Sequence, residues 1–257
     1  MTSLVFAHGI LGFGAPLLLP FPFSYFNGVQ THYEHLGHRV VAPQVNPVGS
    51  IAGRGERLGQ LIKNIPRAEG EKFHIIAHSM GGLDARYALA RVDGVKAIVS
   101  TLVTIGTPHQ GSEVADAIAT RTGPLFAAIQ PFLTACRLDV DGLQNLTTDS
   151  LHQFNEDTPD VEGIRYIDVA GDALKGGHEL LLFQVAERVG HLTNQPNDGV
   201  VTKRSALRDG HEHLADWPVD HAGEVGWTIP PVSLDLPFTG LFGRAHLARY
   251  DDIVARL

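Results

Sequence analysis

The chain has 257 residues, of which 44% are hydrophobic and 19% are charged, as in a globular protein that buries one large core. Its formal net charge of -8 at pH 7 argues against a nucleic-acid partner, which would require a basic face. The single cysteine, Cys136, excludes an intrachain disulfide and has no partner for a metal or redox motif. No stretch reaches the roughly 18 apolar residues that span a bilayer. We therefore expect a single domain over residues 1–257.

The N-terminus shows no basic segment followed by an apolar one, and a predicted strand region begins at Ser3. No leader is therefore predicted, which favours a cytoplasmic protein. A secreted mature form with an added methionine is the alternative. The number of subunits stays open at this stage.

Short apolar runs alternate with helical patterns along most of the chain. The predicted strands are 4–7, 39–42, 73–77, 97–104 and 164–170, and the predicted helices are 51–65, 82–92 and the closing stretch 242–257. Buried parallel strands joined by crossover helices produce this alternation. The sequence therefore predicts an α/β fold with a mostly parallel central sheet flanked by helices.

Residues 112–160 break the alternation with helical segments separated by Gly, Pro and Asp. Insertions of this kind lie over the carboxyl ends of the strands, where α/β proteins bind ligands. We interpret the segment as a helical lid or cap, with an ordinary packed helical hairpin as the alternative. The apolar residues expected to bind substrate, or else to form core, are Leu17, Phe21 and Phe23 after the first strand and Leu125, Phe126, Ile129 and Phe132 in the insertion.

The stretch FHIIAHSMGG, residues 73–82, is a buried strand that runs directly into a helix. A sharp turn of this kind, with small residues at Ala77 and Gly81, raises a serine hydroxyl above the sheet at a helix N-terminus. Ser79 is therefore the candidate nucleophile. A serine that merely caps the helix is the alternative.

A serine nucleophile needs a base and an acid, and this architecture supplies them in the chain order Ser, Asp or Glu, His. Asp198 lies in an Asn-Asp-Gly turn and is the candidate acid, although such an aspartate can serve the turn alone. Of the later histidines, His211 and His213 lie in a charged segment interpreted as a solvated loop, and His246 lies in the closing helix. His221 is in a loop and is the candidate base.

An oxyanion hole is predicted where the first strand ends. The stretch VFAHGILGFG places Gly9 and Gly12 where the backbone can approach the elbow closely. The N–H groups of Ile10 and Met80 are the candidate donors. A glycine-rich turn without such a role is the alternative.

Six ordered blocks of the chain resemble the bacterial true lipases of the Pseudomonas and Burkholderia type, within the α/β-hydrolase superfamily. They are AHGILGFG (7–14), RGERL (54–58), HIIAHSMGGLDARY (74–87), TIGTPHQGSEVAD (104–116), NDGVV (197–201) and DHAGEV (220–225). The resemblance implies an α/β-hydrolase fold with Ser79 as nucleophile, Asp198 as acid and His221 as base. It also implies that Ile10 and Met80 donate to the oxyanion.

The activity implied by the resemblance is hydrolysis of carboxylic esters with an apolar acyl chain through an acyl-enzyme. The expected partner is an acyl ester or lipid, with transient contact at a lipid interface. An acyltransferase, a thioesterase or a polyester depolymerase would use the same machinery, and a non-catalytic binding protein is a more distant alternative. The family's structural calcium uses an aspartate and a glutamine after the base, where this chain has Gly223 and Trp227, and upstream Asp172 aligns poorly. We predict no calcium and no other cofactor.

Overall fold

Parallel strands form the centre of the molecule, whose computed structural model describes residues 1–10, 25–127, 130, 141–177, 182–227 and 245–257. In these ranges the strands are β1 Ser3–Ala7, β2 Arg39–Val41, β3 Phe73–His78, β4 Val99–Ile105, β5 Arg165–Val169 and β6 Glu212–His213. They pair in the order β2-β1-β3-β4-β5-β6, and every pairing is parallel. The order reverses between β1 and β3, and α/β proteins bind ligands in the crevice at such a point.

Helices cover both faces of the sheet. They are α1 Val29–His35, α2 Ile51–Lys63, α3 Met80–Arg91, α4 Val95–Ile98, α5 Glu113–Thr120, α6 Thr148–Asp157, α7 Ala173–Gly176, α8 Phe183–Thr193, α9 Lys203–Ala206 and α10 Ala245–Val254, with 3-10 turns at Asp141–Leu146 and Gly223–Val225. Val5 points to a cluster with α2 and α3, whereas Leu4 points to one with α1 and α10. Successive residues of a strand face opposite sides, so β1 is buried on both.

The predicted strands and helices are present with small shifts at their ends, although the sequence did not indicate α1, α8 or β6. Residues 242–244 of the predicted closing helix lie outside the described residues, and two predictions differ more clearly from the structure. Residues Val95–Ile98 form a short helix, so β4 starts later than the predicted strand 97–104. The solvated loop expected around His211 is wrong, because its side chain is 3% exposed and lies between the carboxylates of Asp160 and Asp168. A buried imidazole is tolerated where such partners bind both ring nitrogens. His246 does lie in the closing helix, α10.

The predicted insertion places α5, the 3-10 turn at Asp141–Leu146 and α6 between β4 and β5. Side chains from these elements pack on the start of α3, where Leu146 and Leu151 share a buried cluster with Met80. Leu125 and Phe126 pack instead in a cluster with residues of α5 and α8. The insertion therefore lies next to the elbow that begins α3.

Five of the predicted substrate-binding residues fall on parts of the chain that the structure does not describe. They are Leu17, Phe21, Phe23, Ile129 and Phe132. Within the described ranges, no helix combines the length and apolar character needed to cross a membrane.

Candidate active site

Ser79 occupies the turn between β3 and α3, at the carboxyl end of the sheet. Its backbone has φ 56° and ψ -133°, a conformation that non-glycine residues seldom adopt and that neighbouring contacts must hold. The Ser79 N–H donates to the Ile105 carbonyl at 2.9 Å, and Thr107 Oγ1 donates to the Ser79 carbonyl at 2.8 Å. The serine side chain makes no capping hydrogen bond, so a helix-cap role does not account for it.

Two glycines let the end of β1 approach this turn closely. A Cβ on Gly81 would lie 2.4 Å from the Ala7 carbonyl oxygen, and one on Gly9 would lie 2.8 Å from Ser79 Cβ. Ile10 follows directly and packs in the same apolar cluster as Met80. Met80 is the first residue of α3, so its N–H has no intrahelical acceptor. Ile10 and Met80 therefore both lie beside the turn at Ser79, and the convergence of their N–H groups stays a prediction.

His221 and Asp198 come from separate loops and meet directly. His221 Nδ1 lies 2.7 Å from Asp198 Oδ2, and the His221 N–H donates to the Asp198 carbonyl at 2.9 Å. Asp198 is 1% exposed, and its other oxygen accepts the N–H groups of Val200 and Val201, each at 2.7 Å. One carboxylate oxygen thus serves the turn while the other orients the imidazole.

The imidazole of His221 lies beside the elbow. Its ring centroid is 4.5 Å from that of His78, the residue that precedes Ser79. The described contacts include no hydrogen bond between Ser79 Oγ and His221. Such bonds are often long before substrate binds. The structure therefore brings the predicted base and acid together near the serine, and the Ser79–His221 hydrogen bond stays a prediction.

A second carboxylate, which the sequence reasoning missed, contacts the same imidazole. Glu224 is fully buried, and its Oε2 lies 3.3 Å from His221 Nδ1 and 2.9 Å from His78 Nε2. Glu224 lies in the 3-10 turn Gly223–Val225, three residues after His221, and its N–H donates to the Asp220 carbonyl at 3.0 Å, which keeps it beside the His221 loop. The His-x-x-Glu spacing within DHAGEV is the signal that could have revealed it.

These contacts set the direction of each pKa in the site. Burial lowers the pKa of His221, but the Asp198 charge and hydrogen bond, together with Glu224, outweigh burial and raise the pKa above its ordinary value. Burial raises the pKa of both Asp198 and Glu224 against the opposing pull of His221. Burial, and then the neighbouring His221, lower the pKa of His78. His221 is therefore the imidazole equipped to carry a positive charge, and His78 stays neutral.

Arg54 lies behind the candidate oxyanion loop and was also missed from the sequence as a functional residue. Its buried guanidinium donates from Nη2 to the carbonyls of His8 at 2.8 Å and Gly9 at 3.2 Å, and from Nε to Asp84 Oδ2 at 2.8 Å. In a trans peptide, the Gly9 carbonyl and the Ile10 N–H point in opposite directions. Because Arg54 binds that carbonyl, the Ile10 N–H points away from the guanidinium. The RGERL block contains this arginine.

One group within the described ranges has metal-like spacing, formed by His78, His221 and Glu224. The facing atoms already bind one another through hydrogen bonds, so we interpret the group as a hydrogen-bond network. At the positions considered for calcium, Trp227 donates to the Tyr25 carbonyl and Asp172 pairs with Lys175. The predicted absence of calcium and of any cofactor stays a prediction.

Comparisons with known proteins identify the kind of fold. A family model described as a PGAP1-like alpha/beta domain matches residues 56–169. Triacylglycerol lipase 2 of Saccharomyces cerevisiae is 28% identical over 209 residues, which cover 79% of this chain but only 63% of the yeast protein. The triacylglycerol lipase of Vibrio cholerae is 26% identical, and the match covers 86% of this chain and 78% of that protein.

Among solved structures, the mature lipase BlEst2 of Bacillus licheniformis superposes with a TM-score of 0.69 at 22% identity. The match covers 87% of this chain and 86% of that one. At this identity the likeness concerns the fold alone. The predicted α/β-hydrolase fold is confirmed.

Proposed function

We propose that this protein is a serine carboxylic ester hydrolase, a lipase or esterase acting on esters with an apolar acyl chain. The observation that carries the proposal is the strained Ser79 at the strand-order reversal, beside a His221–Asp198 pair 2.7 Å apart. The similarity to triacylglycerol lipases of yeast and bacteria supports the same class of reaction.

In the proposed mechanism, His221 removes the hydroxyl proton of Ser79 as the oxygen attacks the ester carbonyl carbon. Asp198 holds the imidazole in the tautomer with its free nitrogen toward the serine and stabilises the imidazolium that forms. His221 then gives the proton to the departing alcohol. The products of this half-reaction are the free alcohol and an ester between the acyl group and Ser79.

The negative charge of the tetrahedral intermediate falls on the former carbonyl oxygen. We assign the N–H groups of Ile10 and Met80 as its donors, with Arg54 fixing the first by its bond to the Gly9 carbonyl. Loss of one such donor typically costs about 3 kcal/mol in the activation barrier. The positive end of α3 adds to this stabilisation.

Water completes the cycle. His221 deprotonates it for attack on the acyl carbon, the bond from that carbon to Ser79 Oγ breaks, and His221 returns the proton to Ser79 as the carboxylic acid leaves. An acyltransferase, thioesterase or polyester depolymerase would share the acyl-enzyme and differ in the group that donates or accepts the acyl chain.

Within the hydrolases, we propose that the chain belongs to the bacterial true-lipase type, because six blocks of its sequence resemble that type. We also propose that the insertion 112–160 is the cap of the site, supported by the packing of Leu146 and Leu151 on Met80.

Substitution of the nucleophile tests the proposal directly. Ser79→Ala should abolish hydrolysis of p-nitrophenyl butyrate and covalent labelling by a fluorophosphonate, with the label mapped to Ser79 by peptide mass spectrometry. Ser100→Ala is the matched control, because Ser100 lies on β4 and bonds the Phe73 carbonyl away from the site. Unchanged turnover in Ser79→Ala, or no labelling of the wild type, would overturn the enzyme assignment and favour a binding protein.

Substrate class requires a separate experiment. Rates across p-nitrophenyl esters of increasing chain length, with emulsified triglyceride, should favour medium or long apolar chains. A sharp preference for acetate would indicate a small-ester esterase. Faster transfer to an added alcohol than to water would indicate an acyltransferase.

A further inference from the structure

A continuous line of polar contacts joins Tyr25, which precedes α1, to the candidate base. Tyr25 Oη lies 2.7 Å from His78 Nδ1, and His78 Nε2 lies 2.9 Å from Glu224 Oε2, which in turn contacts His221. We infer that Tyr25 and His78 are positioning residues that hold the Glu224 carboxylate, as a charged group, against His221. The inference rests on the proposed function in assigning His221 as the base.

The protons along this line follow from the chemistry of each group. Burial raises the pKa of the Tyr25 phenol well above its ordinary value, and this outweighs the lowering by a hydrogen bond from the Gly9 backbone, so the phenol is neutral. The phenol O–H then donates a hydrogen bond to His78 Nδ1. A neutral imidazole that accepts at Nδ1 carries its proton at Nε2, and this proton is donated to Glu224 Oε2. Tyr25 therefore selects the tautomer of His78 that binds a carboxylate.

The space around Glu224 is shaped for its carboxylate. A Cβ on Gly106 would lie 2.1 Å from Glu224 Oε2, and one on Gly171 would lie 2.5 Å from Oε1, so backbone walls enclose both oxygens. Oε1 has no hydrogen-bonding partner within the described ranges. A buried carboxylate stays charged only when donors compensate for lost water. His78 and His221 supply the imidazole donors to Oε2.

Other ionisable groups face this line from several elements. They are Asp198 and Asp220 in the loops, Arg249 and Tyr250 on α10, Arg54 on α2, Asp84 on α3 and His8 after β1. The two Asp220 oxygens accept the N–H groups of Gly223 and Leu182, and Tyr250 Oη donates to the Glu224 carbonyl. The carboxylates in contact with the His221 ring are therefore those of Asp198 and Glu224.

Loss of the His78 donor should therefore change the basicity of His221. Without it, burial favours protonation of Glu224, and His221 loses one of its two negative partners. An opposite charge within about 4–6 Å shifts a pKa by roughly 1–3 units. We expect the His221 titration midpoint to fall by about one pH unit, at the lower end of that range, because Asp198 remains.

The variants that test this are His78→Leu, which fills the space without a donor, and His78→Gln, whose amide restores a donor toward Glu224. Tyr25→Phe is a milder second variant. It removes the hydrogen bond that selects the His78 tautomer and keeps the aromatic contact with Phe26. His74→Gln is the matched control, since His74 lies on the same strand and contacts Thr101 instead. Thermal unfolding of each variant reports whether it is folded.

The first measurement is the pH dependence of kcat/KM for p-nitrophenyl butyrate. The acidic limb should move down by about one pH unit in His78→Leu and less in Tyr25→Phe, and should return toward the wild-type position in His78→Gln. In a Glu224→Gln background, His78→Leu should produce no additional shift. An unchanged limb in folded His78→Leu and Tyr25→Phe would overturn the inference, as would equal shifts in both backgrounds.

The second measurement does not require turnover. In protein labelled with ¹⁵N-histidine, NMR should show His78 as a neutral Nε2–H imidazole from pH 5 to pH 9, and should show the His221 midpoint falling in His78→Leu. A His78 that titrates in this range, or carries its proton at Nδ1, would contradict the inference. Absence of ester hydrolysis in the wild type would instead count against the proposed function, so the two failures are distinguishable.

Discussion

Arg54 and Asp84 form a buried ion pair between α2 and α3, with Arg54 Nη2 2.7 Å from Asp84 Oδ2. The arginine side chain is fully buried and the aspartate side chain is 1% exposed. Through its remaining protons the same guanidinium binds the carbonyls of His8 and Gly9. The pair therefore connects the helix that follows Ser79 to the loop that precedes Ile10.

Arg54→Met should lower both stability and kcat. Loss of one partner leaves the Asp84 carboxylate buried without compensation, which typically costs about 3–5 kcal/mol of unfolding free energy. Release of the Gly9 carbonyl should lower kcat more than it raises KM, because the oxyanion is bound more strongly in the transition state. Denaturant unfolding and steady-state kinetics measure the two effects.

Arg57→Met is the control, since Arg57 is exposed on the same helix. Replacement of both partners in Arg54→Met/Asp84→Leu should recover part of the lost stability, because no unpaired charge is then buried between the two helices. A double variant as unstable as the sum of its single substitutions would contradict this account.

Asp198→Ala should retain more activity than removal of the base. Glu224 Oε2 lies 3.3 Å from His221 Nδ1 and can still orient the imidazole, so we expect a loss of kcat smaller than the roughly 10⁴-fold typical when the triad aspartate is replaced. Asp198→Ala/Glu224→Gln should lose at least about tenfold more, since no carboxylate then faces Nδ1.

Steady-state rates on p-nitrophenyl butyrate check this prediction, with Glu187→Gln as a control because Glu187 is exposed on α8. If Glu224→Gln has no effect in the Asp198→Ala background, the second carboxylate does not support the base.

Gly81→Ala should disrupt the elbow although alanine favours helices. Its Cβ would meet the carbonyl oxygens of Ala7 at 2.4 Å and His8 at 2.8 Å, and neither backbone atom can rotate away. Overpacking of this kind costs about 1–3 kcal/mol, and displacement of α3 should reduce kcat as well.

The paired substitution is Gly53→Ala, another glycine near the start of a helix. The nearest atom to its Cβ is Ser50 Oγ at 3.3 Å, and helix propensity predicts stabilisation by up to about 1 kcal/mol. Equal stability changes for the two variants would show that β1 does not constrain the elbow.

The His211 contacts should make stability depend on pH. Burial lowers the pKa of His211, but hydrogen bonds and charges from Asp160 and Asp168 outweigh burial and raise it. A group with a raised folded-state pKa contributes stability below its unfolded pKa of about 6.5, and this contribution is lost as pH rises through the folded value. His211→Gln should therefore destabilise the protein most below pH 6.5, by about 1.5–3 kcal/mol.

Unfolding free energies measured from pH 5 to pH 9 test this dependence. The difference between wild type and His211→Gln should shrink toward alkaline pH. His152→Gln serves as the control, because its side chain is 79% exposed. A constant difference across the range would mean that the His211 charge contributes nothing.

The sheet and the elbow could be predicted because their signals are local. Apolar runs alternating with helical periods indicated parallel strands, and HSMG between a strand and a helix indicated Ser79. Tyr25 and Arg54 act through contacts with distant parts of the chain, and composition does not reveal such pairings. Glu224 lies only three residues after His221, but its contact with His78 is equally distant in sequence. His211 was misassigned for the same reason, because its neighbours in sequence are charged while its partner Asp168 lies on β5.

The parallel arrangement of β1 and β3 has a consequence for how the protein acquires activity. Neither strand can form its share of the site from nearby sequence, because parallel neighbours are joined by long crossovers. Ser79 gains its backbone support from Ile105 on β4, and Ile10 is oriented by Arg54 on α2. Long-range pairings of this kind form slowly during folding. A partly folded chain therefore contains Ser79 without the contacts that hold its turn, so we expect the proposed ester hydrolysis only once the sheet is complete.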